Sequence, residues 1–142
     1  MMLRRQQQGI ALIEAMIATV ILAIGLLGTI GLQARAYSAI NDAGMRVEAT
    51  LASEKLFGLM NADVTNLKRY ALAAGGTPDG LLANWVTETK AAMPGAAITV
   101  TVTPPPDDTI SHTAITVKIS WTRKAGGPTN TNTMTSYLSD SK

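Results

Sequence analysis

One carboxylate stands alone in an apolar run: Glu14 is the single charged residue between Ile10 and Leu32. A charge at the centre of a membrane helix costs on the order of 2.5–3.5 kcal/mol on insertion scales. Glu14 lies about one turn inside the start of the run, where its side chain can reach toward the headgroups and lower that cost. It reads either as a tolerated interfacial Glu or as a carboxylate awaiting a positive partner. Scission of the Gly9–Ile10 bond would supply one, because it creates an α-amino group four residues before Glu14. In apolar surroundings an amine and a carboxylate attract strongly, and each reduces the other's burial cost. The chemistry suggested is processing followed by charge pairing.

The remaining reactive side chains form no catalytic pattern. His112 is the one histidine, expected in or beside a loop, and cysteine is absent, which excludes disulfides and thiol catalysis. Asp107 and Asp108 follow a triple proline without a calcium-loop pattern, so a solvated turn is the better reading. No nucleophile elbow, phosphate loop or metal-spaced cluster occurs, and neither an enzyme nor a cofactor is expected. Twelve basic residues face ten acidic ones; removal of residues 1–9 takes Arg4 and Arg5 and leaves the signs balanced. The other charges are scattered without a basic run among aromatics, which argues against a nucleic-acid partner.

The element that must carry Glu14 is a helix. From Ile10 to Leu32 it is roughly 34 Å long at 1.5 Å per residue, enough to cross a hydrocarbon core of about 30 Å. Arg4 and Arg5 ahead of it place the N-terminus in the cytoplasm and the rest outside, with Arg35 on the far side making the asymmetry modest. Three blander readings are an ordinary secretory signal cut after Ala34-Arg35-Ala36, a plain signal anchor, and a buried helix of a soluble protein, which 142 residues could hardly surround on all sides. The first conflicts with the length of the run and its carboxylate, since secretory signals use about 7–15 apolar residues. The second gives Glu14 no purpose.

Gln8-Gly9-Ile10-Ala11-Leu12-Ile13-Glu14 resembles the type III leader and cleavage site of type IV prepilins: a short basic leader ending in Gly, then an apolar residue, with Glu fifth in the mature chain. The resemblance implies that a prepilin peptidase cuts after Gly9 and methylates the amine of Ile10, where most of the family has Phe. It also implies that Glu14 pairs with the N-terminal amine of a neighbouring subunit during assembly. The segment Val20 to Gln33, with Leu22-Ala23-Ile24-Gly25-Leu26-Leu27-Gly28 at its heart, resembles the PilV-type minor pilins, or type IV pilus modification proteins. Many major pilins carry a Pro in this helix, and here the corresponding position is Gly31.

Gly25, Gly28 and Gly31 recur every third residue, each costing about 1 kcal/mol of helix propensity relative to Ala. Small residues at such spacing permit close helix packing. Equally, the segment can melt locally when the chain leaves the bilayer for a filament.

Beyond Leu32 the apolar residues become one-sided. Met45, Ala49, Ala52, Leu56 and Leu59 follow helical spacing, which predicts that the helix continues to about Met60 with this half against a head. Phe57, the only Phe, reads as core. Gly75 to Gly80 is a loop signal, and Leu81–Met93 reads as a short helix presenting Leu82, Trp85, Val86 and Thr89 on one side. Ile98, Val100 and Val102, then Ile115, Val117, Ile119 and Trp121, alternate with polar residues as half-buried strands do. A third strand is expected over Thr131–Leu138. The expected class is α+β: a long N-terminal helix, transmembrane in its first half, packed on a small antiparallel sheet.

The organisation expected is a leader at 1–9, a transmembrane and filament-packing helix at 10–32, its amphipathic continuation at 33–60, and an exported α+β head at 61–142. The family resemblance implies a single-pass inner-membrane protein with a periplasmic head that later reaches the pilus and cell surface. It implies a role in type IV pilus assembly within a priming complex of minor pilins at the tip. Its partners would be other minor pilins, the major pilin, the prepilin peptidase and the inner-membrane assembly platform. A type II secretion system pseudopilin shares the leader and fold. A filament-tip adhesin or DNA-binding module is a third reading, resting on the Thr- and Asn-rich C-terminal strand.

Overall fold

The computed structural model describes residues 6–106, 112–122 and 127–139. Its first element, α1, is a 57-residue helix from Gln6 to Ala62. The chain forms two compact units that divide within α1, up to Ala43 and from Gly44 onward.

In the first unit α1 is apolar on every side from Ile10 to Leu32 apart from Glu14, and Ile10 through Tyr37 are all solvent-exposed. A helix that is hydrophobic all round suits a lipid or protein environment rather than water. Its hydroxyls are already satisfied: Thr19 Oγ1 donates to the Met16 carbonyl and Thr29 Oγ1 to the Leu26 carbonyl, each at 2.8 Å. Such back-bonding lets a hydroxyl sit in an apolar medium without an unpaired donor.

In the second unit α1 becomes one-sided, as the spacing of its apolar residues predicts. Ala49, Ser53, Leu56 and Met60 are fully buried, with Met45, Ala52 and Phe57 packed against their margins. The buried stripe differs from expectation at its end: Leu59 is 41% exposed and Met60 takes its place. From Leu56 a step of four residues turns the helix by about 40° one way and a step of three by about 60° the other, so both fit the pattern. The position of the sheet chooses between them. Ser53 stays within the core by donating to the Ala49 carbonyl at 2.8 Å.

A 3-10 helix, Val64–Tyr70, follows, with a kink at Asn66. Asp63 organises it, accepting from Asn66 Nδ2 at 2.7 Å and from the Tyr70 hydroxyl at 3.1 Å. Leu72 then pairs with Val100 through two backbone hydrogen bonds of 2.9 Å. Gly75 turns the chain with φ +72°, a conformation that favours glycine.

Helix α2 runs Gly80–Ala92, and Asp79 caps it by accepting from the Leu81 N–H at 3.2 Å. Its buried residues are Leu82, Trp85, Val86 and Thr89, the four the sequence places on one side. Three antiparallel strands complete the unit in the order β1 (Ala97–Thr103), β2 (His112–Thr122) and β3 (Thr129–Ser139). One sheet row runs Val100, Val117, Met134. The inward residues Ile98, Val100, Ile115, Val117, Ile119 and Trp121 pack with Leu56, Met60, Leu82 and Met93 into a single core. The architecture is α+β, a long N-terminal helix followed by a small three-stranded antiparallel sheet.

Candidate processing and assembly site

All six residues singled out near the N-terminus lie on α1. Gly9 and Ile10 are the fourth and fifth residues of α1, where its first turn passes into its second, so the bond between them is helical. The ends of helices open at low cost, and a cut at this bond requires only the first turns to unwind. Ile10 itself is 68% exposed.

Ile10, Ile13, Glu14, Ile17, Ala18 and Ile21 line one shallow groove on the helix surface. The spacing of three and four residues puts them on a common face. Glu14 thus sits within an isoleucine-rich stripe, displaced by roughly 6 Å along the axis from Ile10. A carboxylate so placed is solvated while the stripe is uncovered.

Gly25, Gly28 and Gly31 all lie in the unbroken helix. A methyl group built on any of the three would meet no atom within 4 Å. Nothing in this chain's own packing demands glycine there, which turns the explanation toward a partner helix or a change of conformation.

Residues 4–30 match the model of the prokaryotic N-terminal methylation motif. That match supports a type IV pilin-like or pseudopilin protein. The matched stretch takes in Gly9, Ile10, Glu14, Gly25 and Gly28 and stops one residue short of Gly31. No curated protein and no solved structure matches the chain closely enough to count as similar. The prepilin-type motif implies processing by a prepilin peptidase and membership of a pilus-like system, and pilin-like proteins are structural rather than catalytic. Motif and apolar helix together are consistent with membrane anchoring.

Elsewhere the polar residues serve the fold. His112 opens β2 and meets the Tyr137 ring edge-on, with centroids 5.1 Å apart. Asp107 and Asp108 lie outside the described residues. Among the described residues no group of three His, Cys, Asp or Glu side chains could hold a metal ion. Lys55 pairs with Glu88 at the surface, and Arg69 pairs with Asp79 at 3.0 Å.

The structure adds one feature that the sequence reading missed. Val47 and Leu51, one turn apart on α1, are both more than half exposed although they lie beyond the apolar run. The signal was present as an i,i+4 apolar pair on the side opposite Ala49, but the buried stripe drew the assignment.

Proposed function

We propose that this chain is a minor pilin that enters a type IV pilus through α1, as part of a priming complex of minor pilins at the tip. Residues 1–9 act as the leader, 10–32 as anchor and filament-packing segment, 33–60 as its continuation, and 61–142 as the exported head. The peptidase cuts after Gly9 and methylates Ile10. The chain waits in the inner membrane with its head in the periplasm until the assembly platform passes it into the filament.

The observation that carries this reading is the placement of Glu14, the one charge between Ile10 and Leu32, on the same helix face as Ile10. A cut before Ile10 turns an unpaired carboxylate into half of an ion pair, and the low-dielectric environment of a helix bundle strengthens that pairing. The other half comes from a neighbouring subunit's amine, so docking is rewarded only once that subunit is processed.

The direct test is Glu14→Val, expressed with the remaining pilus components. Processing is expected to proceed while recovery in sheared filaments falls at least about tenfold, the equivalent of losing one strong charge pair. Filament recovery equal to wild type would remove the pairing role.

A further inference from the structure

β3 has an open edge of unusual length. It pairs with β2 over all eleven of its residues without a bulge, and among the described residues no strand lies on its other side. Exposed edges are normally blunted by charge, proline, bulges or brevity, because their free N–H and C=O groups template further pairing. Thr-Asn-Thr-Asn-Thr-Met-Thr-Ser-Tyr-Leu-Ser contains no charge and no proline. The opposite edge is guarded, since Leu72 crosses β1 at Val100 and Pro104 follows β1 directly.

We propose that the β3 edge receives an extended, uncharged strand from a different protein, one that alternates Ser or Thr with apolar residues. The outer side sets the first half of that chemistry. Thr129, Thr131 and Thr135 already pair hydroxyl to hydroxyl with Thr122, Ser120 and Thr116 at 3.0–3.2 Å, and a strand bearing hydroxyls continues the same rows.

The inner side sets the second half. Asn132 Nδ2 donates to Thr50 Oγ1 at 3.1 Å, so the Thr50 flank of α1 lies over β3. Phe57, two turns further along that flank, and Met134 beside Asn132 are both left half-buried. Apolar side chains on an added strand would finish covering them.

The stretches of residues 1–142 outside the described ones are each five residues or fewer, too short to fill an edge of eleven. A second copy paired antiparallel fits poorly, and one paired in parallel is an outcome of the test below. Its open edge is also β3, and antiparallel pairing of two such edges demands a half-turn about the sheet normal that reverses α1 in one of them. Chains inserted the same way in one membrane share the direction of α1.

The test uses the full chain in detergent micelles and a fluorescent peptide of alternating Thr and Val, about eleven residues long, with lysines at its ends and one central Cys. The chain contains no cysteine, so an engineered Thr133→Cys on β3 or Thr101→Cys on β1 reports location by disulfide exchange, the peptide's Cys being supplied as a thiopyridyl mixed disulfide from which the chain's thiolate displaces thiopyridine. The peptide is expected to bind saturably and to be captured at Thr133→Cys at least about tenfold faster than at Thr101→Cys. Methylation of its backbone nitrogens on alternate residues is expected to weaken binding about tenfold or more, since that edge loses its donors. Absence of binding, equal binding of the methylated peptide, or equal capture at the two sites overturns the proposal. So does a Thr133→Cys chain that links to its own copy in preference to the peptide.

Discussion

The indole N–H of Trp85 donates to the backbone carbonyl of Ala52 at 2.8 Å, joining α2 to the sheet-side stretch of α1. Trp85 is itself buried, so the bond is made where water cannot substitute for it. This contact, with the burial of Leu56 and Met60, packs the last five turns of α1 into one core with α2 and the sheet.

Leu56→Ala is therefore expected to lower head stability by about 2–5 kcal/mol, the usual range for a fully buried Leu. Leu59→Ala, three residues away on the exposed side, is expected to change it by only about 0.5 kcal/mol. Denaturant unfolding of the two variants, followed by Trp fluorescence, separates them. Equal losses would mean the helix faces the sheet along a different stripe.

Gly9→Ala is expected to leave a full-length precursor in the membrane fraction, visible as slower migration and retention of Met1. On the proposed reading the glycine serves the peptidase and not the fold, because Ala is the better helix former. Normal processing of this variant would move the recognition element elsewhere.

The three anchor glycines can be tested by size against propensity. Gly28→Ala adds about 1 kcal/mol of helix stability with little bulk, while Gly28→Leu adds bulk. If close packing against a neighbour is their purpose, Ala is tolerated and Leu blocks filament entry. If local melting is their purpose, Ala alone already reduces incorporation. The free chain accommodates both, since the position is open.

The head should weaken in acid partly through Asp79. Its hydrogen bond from Arg69, then that from the Leu81 N–H, hold its carboxyl below the usual carboxylate range. The folded state thus binds this proton less readily than the unfolded chain. The contribution is complete above the unfolded value of about 4 and fades as pH falls through the lower folded value. Asp79→Asn keeps a capping side chain but removes the titration. The wild-type melting temperature is expected to drop more steeply than the variant's below about pH 4, and parallel curves would contradict this.

Much of the head was legible because its elements obey strong periods. Leu82, Trp85, Val86 and Thr89 recur at helical spacing, and Ile115 to Trp121 alternate strictly, so the buried sides could be named in advance. Other features leave no period. The 3-10 helix Val64–Tyr70 is too short and kinked to print one, and its organiser, Asp63, acts through side-chain bonds that no spacing reveals. The Leu72–Val100 bridge joins residues far apart in sequence by backbone alone. At the N-terminus the sequence singled out Gly9, Ile10 and Glu14 as candidates, and the structure places all three on α1. The common groove of Ile10 and Glu14 with Ile13, Ile17, Ala18 and Ile21 needed only a continuous helix to be realised.

Intact mass and N-terminal sequencing of the protein recovered from assembled filaments test the account most directly. The expected molecule begins at Ile10, carries one added methyl group, and lacks Arg4 and Arg5. A molecule that still begins at Met1, or one that begins at Tyr37, would contradict it.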